Sequence, residues 1–246
     1  MNETNEYYGF TCNINSIQMA DTITATYCYK DADGNDKTVI DTCTVEEYLN
    51  KFTQEDGDEI LALIQAINDY GYYAQQFLSQ YAKETWTLGT DHKEMAKVNT
   101  TAYEYTADDL SGYAIQKELN DDLAAVNYSL TLDTDTAINL FFTPAQGYTG
   151  GLTAKLSNGK ELKVVKTGGR YRVTIPGISA HLIGKTYDLV ITTETNGRST
   201  VSVSALSYAY TCMEEGDPAR TLMRAFYDYY LKALAYKSLI DGQGQS

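Results

Sequence analysis

The residues of this chain best equipped for chemistry are few and scattered. Histidine occurs only at His92 and His181, and neither stands at zinc-ligand spacing from another His or Cys. We read both as structural or solvent-exposed, since no local signature supports a Cys–His nucleophilic pair. Gly184-Lys185-Thr186 has the ending of a phosphate-binding loop, but six residues separate Gly177 from Gly184 where that loop needs four. It also leads into a β-rich run instead of a helix whose amides would hold phosphate. Ser157-Asn158-Gly159-Lys160 matches Ser-x-x-Lys, yet Asn-Gly marks a hairpin turn, a poor place for a buried serine nucleophile. Gly-x-Ser-x-Gly does not occur. Acidic residues number 33, so a carboxylate pair can be drawn anywhere and argues for glycoside hydrolysis nowhere. The expectation is a protein with no catalytic residues, no cofactor and no enzyme activity.

Two binding chemistries remain. Asp31, Asp33 and Asn35 alternate oxygen side chains as a hard cation would require. The glycine, Gly34, falls at the fourth position instead of the sixth, and Thr42 occupies the place of the closing glutamate. A plain hairpin turn is the preferred reading, with no metal. Trp86, with Tyr7, Tyr8, Tyr72 and Tyr73, offers the aromatic surface on which sugars stack. Packing accounts for at least one of Tyr72 and Tyr73, which neighbour the apolar face of a helix.

The elements that position these residues follow from periodicity. From Glu55 to Tyr81, Ile60, Leu63, Ile64, Ile67, Tyr70, Ala74, Phe77 and Tyr81 recur at helical steps. Glu55-Asp56-Gly57-Asp58 returns 159 residues later as Glu214-Glu215-Gly216-Asp217. The same offset aligns Ala66, Asp69, Tyr70 and Ala74 with Ala225, Asp228, Tyr229 and Ala233. A second helix therefore carries Leu222, Phe226, Tyr229, Ala233, Tyr236 and Ile240. Asp58 and Asp217 suit the positive ends of these helices, and Pro218 suits a first turn.

Each helix follows a hairpin. A strand over 9–17 is expected first, then Thr22–Tyr29 and Lys37–Thr42 about the Asp31–Asp36 turn. Thr44–Phe52 reads as a short helix, with Thr44 and Glu47 spaced as a capping box. In the second half, strands are expected over Ser129–Leu132, Thr136–Thr143, Leu152–Leu156, Glu161–Lys166, Tyr171–Ile175, Thr186–Thr193 and Ser199–Ser204. Between the halves, Ala107–Tyr113 and Gln116–Val126 read as short helical turns. The resulting division is a first hairpin-plus-helix unit over 1–85, a connector over 86–126, and a β-rich segment with the second unit over 127–246. The fold class is α+β, with antiparallel sandwich-like sheets, two long amphipathic helices and an internal duplication.

Composition bounds the function. The net charge is −14, which repels nucleic acid and anionic membranes. No run approaches the length of a membrane span. No secretory leader is visible after Met1, and we expect any targeting segment to have been removed. The 22 tyrosines and frequent threonines suit half-buried sheets and are common in extracellular modules. Cys12, Cys28, Cys43 and Cys212 form no CxxC pair and read mainly as buried free thiols. Disulfides among the first three stay open if the protein is exported.

Three segments carry a resemblance. Ile64–Phe77, Ser129–Phe142 and Ala205–Tyr210 resemble signatures of uncharacterised duplicated modules in secreted and cell-surface proteins of gut Clostridia and related Gram-positive anaerobes. The resemblance spans most of the chain from Gly9 to Lys237. It implies a secreted or surface location and an adhesive or accessory role, and it supplies no catalytic residues. The expected function is a non-catalytic extracellular adhesion or scaffolding module binding a surface glycan or a protein. The alternative is a carbohydrate-binding module accessory to a polysaccharide-degrading enzyme.

Overall fold

A computed structural model describes residues 11–81, 93–95, 103–133 and 135–243. The chain is mixed α+β with antiparallel sheets. A 3-10 turn at Ser16–Gln18 leads into β1 (Ile23–Lys30) and β2 (Asp36–Cys43), a two-stranded hairpin. The short helix α1 (Val45–Leu49) follows, then the 24-residue α2 (Asp58–Tyr81). The expected capping box starts α1: Thr44 Oγ1 accepts from the Glu47 amide, and the Glu47 carboxylate accepts from the Thr44 amide, both at 2.9 Å. Two amides that a helix start leaves without partners are thereby satisfied.

After a 3-10 turn at Asp108–Tyr113 come β3 (Gln116–Glu118), β4 (Leu123–Leu132), β5 (Thr136–Pro144), β6 (Leu152–Leu156), β7 (Glu161–Leu162), β8 (Val164–Thr167) and β9 (Arg170–Ile178). A 3-10 turn at Ala180–Leu182 precedes β10 (Tyr187–Thr193) and β11 (Arg198–Val203). The chain closes with α3 (Ala205–Glu215) and α4 (Arg220–Gln243). One sheet has the order β3-β11-β10-β6-β7 and the other β4-β5-β9-β8. Strand alternation puts Leu189, Ile191, Val201 and Val203 inside from the first sheet, and Leu140, Phe142, Val173 and Ile175 inside from the second. Both sets join one hydrophobic core with Leu206, Leu222, Met223 and Phe226 of the last two helices. Each such side chain taken from water contributes roughly 1.5–3 kcal/mol.

Ser204 caps α3 by a similar box, with Ser207 in the place of the glutamate. Gly216 ends α3 in the left-handed region (φ 70°), where a side chain is disfavoured. The Asp217 carboxylate then accepts from the Ala219 amide at 2.7 Å, the role its position suggests.

Helix α2 packs along α4 and against the Ser16–Gln18 turn. Tyr70 stacks on Tyr229, with ring centroids 5.4 Å apart, and touches Phe226 at 5.7 Å. The Tyr103 hydroxyl donates to Asp69, and Tyr105 donates to Asp228 at 2.7 Å. These two donors are themselves stacked, 6.0 Å apart. A smaller core of Met19, Ala20, Leu49, Ile64 and Met95 joins α1 to α2. Among the described residues, none of the β1–β2 hairpin enters either core.

Several expectations change. Within 9–17 the described part is not a strand; Ser16 and Ile17 instead begin a 3-10 turn. Gln116–Val126 is not helical: it holds β3, which pairs with Thr200–Ser202, and the start of β4. Glu161–Lys166 is two strands, since the chain leaves one sheet after Leu162 and joins the other at Val164. Of the four cysteines only Cys212 is buried; Cys12, Cys28 and Cys43 are exposed free thiols, and among the described residues no sheet packs on the hairpin that carries two of them.

Candidate functional site

Trp86, Tyr7, Tyr8 and His92 lie outside the described residues. Tyr72 is half-buried, packs beside the smaller core and sets its ring edge-on to Tyr73 at 5.2 Å. Asp31 organises the β1–β2 turn, its Oδ1 accepting from the amides of Asp33 (3.0 Å) and Asn35 (2.9 Å). Lys37 Nζ sits 3.3 Å from its other oxygen. These bonds, chiefly that from the Asn35 amide, hold the Asp31 carboxyl below its usual range. Asp31 is thus occupied as the cap of a turn. Ser157-Asn158-Gly159-Lys160 is the tight turn its Asn-Gly suggests, with the Lys160 amide donating to Asn158. Gly184-Lys185-Thr186 precedes β10, with Lys185 Nζ 5.4 Å from the centre of the Tyr187 ring.

The structure brings together residues that the sequence did not single out. Register pairs Ile23 with Cys43, Ala25 with Asp41, Tyr27 with Val39 and Tyr29 with Lys37, so these eight share one hairpin face. Tyr27 and Tyr29 stack at 5.4 Å. Where this face meets α1 it forms a groove of about 730 Å³, walled by Ile14, Ile23, Ala25, Tyr27, Val45 and Tyr48. Tyr48 is 55% exposed, Val39 50% and Ile40 64%. Among the described residues the groove wall holds Thr11, Cys12, Thr24, Thr26, Cys43 and Thr44 and the hydroxyls of Tyr27 and Tyr48 as its polar groups, and no carboxylate, histidine or lysine. Such a wall offers apolar area, ring edges and hydroxyls.

A second cavity of about 430 Å³ lies at the α2–α4 seam, reached by Ile14, Tyr70, Asp135 and Tyr229. Asp135 there accepts from the Gly177 amide at 2.8 Å. Burial pushes the Tyr70 and Tyr229 hydroxyls up, and pushes Tyr208, Tyr230 and Cys212 up to about 12. A thiol held that high stays protonated and is inert. Burial is the largest cause of each of these shifts, the pattern of packed groups. Among the described residues no helix is long and apolar enough to cross a membrane. No family model, curated protein or solved structure matches the chain.

Proposed function

We propose that the protein is a non-catalytic binding module, adhesive or scaffolding in role, at the outside of the cell, and that it engages its partner through the β1–β2 hairpin and α1. The observation that carries this reading is a contrast between two hairpins. In β10–β11 the face holding Leu189, Ile191, Val201 and Val203 is buried, and β3 and β6 pair with its two edges. In β1–β2 the corresponding face, with Ala25 and Val39, is exposed, and among the described residues no strand flanks it and no sheet packs on it.

The correspondence rests on a duplicated reading of the chain. Each half runs 3-10 turn, hairpin, box-capped helix and 24-residue helix. Two equivalent residues, Tyr70 and Tyr229, stack on one another, as residues beside a two-fold axis do. Asp69 and Asp228, also equivalent, each take a tyrosine hydroxyl. A small–large exchange fits as well. Gly71 on α2 faces Met19, whereas its equivalent Tyr230 on α4 faces Gly184. On this reading the β-rich insertion of the second half covers its own hairpin, and among the described residues only α1, its cap Thr44 and the 11–14 segment line the groove on the first. An extracellular setting is supported by the acidic, tyrosine-rich composition and by the resemblance noted above.

The stacked Tyr27–Tyr29 pair favours one second reading, a carbohydrate-binding module. A glycan array and a panel of immobilised polypeptides, each probed with wild type and with the double variant Tyr27→Ala/Tyr48→Ala, separate the two. Wild type is expected to bind polypeptide, and the variant to bind about tenfold more weakly or worse. Loss of binding on a glycan class instead establishes the second reading. Binding indifferent to both substitutions overturns the hairpin as the site.

A further inference from the structure

The geometry points to the free edge of β2 as a contact between two copies of this chain, joining their hairpins into one four-stranded antiparallel sheet. The strand reads Asp36-Lys37-Thr38-Val39-Ile40-Asp41-Thr42-Cys43, and all of it is exposed. Its outer edge has no partner strand among the described residues, whereas both edges of β10–β11 are paired. An antiparallel edge between identical strands must be symmetric about a two-fold axis, so one residue faces itself. With Val39 at that centre, Lys37 of each copy stands opposite Asp41 of the other. The charges then match twice, and Thr38 faces Ile40 on the reverse side. Lys37, Val39 and Asp41 lie on the same face as Tyr27 and Tyr29. A two-fold axis normal to the sheet keeps those faces on one side, so two tyrosine pairs form one wider surface.

The charges also explain the choice of partner. A lysine on an open edge deters pairing with an arbitrary strand. Here it deters every strand except one that carries an acid two residues past the centre, which this strand does. Cross-strand pairs of opposite sign stabilise a ladder, and like pairs directly opposite oppose it. In the single chain Lys37 bridges Asp31, 3.3 Å away, through an exposed side chain that can swing to the edge. The inference does not depend on what the hairpin face binds.

The test is sedimentation of the full chain over a range of concentrations, at about 0.15 M salt so that the −14 charges of two copies are screened. Wild type is expected to show reversible monomer–dimer behaviour. Lys37→Asp and Asp41→Lys each place like charges opposite one another twice and should weaken the dimer at least about tenfold. An equimolar mixture of these two variants restores both opposite pairs and should dimerise like wild type, as should the double variant Lys37→Asp/Asp41→Lys. Asp31→Asn removes the internal bridge and should leave the dimer intact. The substituted side chains are exposed, and circular dichroism confirms that the variants remain folded. A wild type that stays monomeric throughout overturns the proposal. So do single variants that dimerise as wild type, or a mixture that fails to recover.

Discussion

Phe226→Ala is expected to lower the unfolding free energy by about 3–5 kcal/mol. Phe226 is fully buried on α4, belongs to the core shared by both sheets, and meets Tyr70 of α2 at 5.7 Å. Removing the ring deletes its transfer free energy and leaves a cavity that two packed helices and two sheets cannot close. For a chain of this length each kcal/mol moves the midpoint of thermal unfolding by about 2–4 °C, so a drop on the order of 10 °C follows. Urea unfolding measures the change directly, with the midpoint shifting and the slope unchanged. Ile240→Ala, at a position 47% exposed on the same helix, serves as control and should stay within about 0.5 kcal/mol. A small effect of Phe226→Ala would mean that α2 and α4 do not pack as described.

Stability should also fall steeply in alkali. Burial raises the proton affinity of Tyr70, Tyr105, Tyr208, Tyr229 and Tyr230, and of the Cys212 thiol. For Tyr105 the hydrogen bond to Asp228 adds to this, because the carboxylate repels a phenolate. In the unfolded chain these groups release protons near their ordinary values of 10.0 for tyrosine and 9.0 for cysteine. Above those values the unfolded state binds fewer protons than the folded one, and the stability declines as pH rises. Below them the contribution is fully present. A wholly sequestered group such as Tyr70 gives a slope approaching about 1.4 kcal/mol per pH unit. The half-exposed tyrosines give less, since solvent screens them. Thermal midpoints should therefore be flat through neutral pH and fall progressively above about pH 10, with part of the tyrosinate absorbance appearing only on unfolding. Midpoints unchanged to about pH 12 would contradict the burial of these hydroxyls.

Much of this architecture is legible locally. Ser204, the expected end of a strand, caps α3 instead, but the capping box at Thr44 and the two long helices are written in short-range patterns. The hairpins of β1–β2 and β10–β11 are too, for their turns carry Gly34 and Gly197 between alternating strands. What escaped depends on distant partners. Leu123, Ala124, Ala125 and Val126 have the composition of a helix, yet Leu123 and Val126 face the core from β4 because β5 pairs alongside. Gln116–Glu118 is polar throughout and becomes a strand only because β11 offers an edge. The shift at Lys163 from one sheet to the other has no local mark. The candidate site escaped for the same reason. Tyr27, Tyr29 and Tyr48 look in sequence like core aromatics, and their partial exposure follows from the absence, among the described residues, of a sheet packed over the first hairpin. Trp86, chosen for its residue type, gave no access to that information.

The central proposal is that the first hairpin is a counterpart of the second that the described residues leave without a packed sheet, and amide hydrogen exchange in dilute protein tests it most directly. The account predicts that β1–β2 amides exchange through local opening, at least about a hundredfold faster than those of β10–β11, which wait for global unfolding. Equal protection of the two hairpins in dilute protein would show that β1–β2 is covered within the single chain, and would contradict both the proposed binding face and the edge contact.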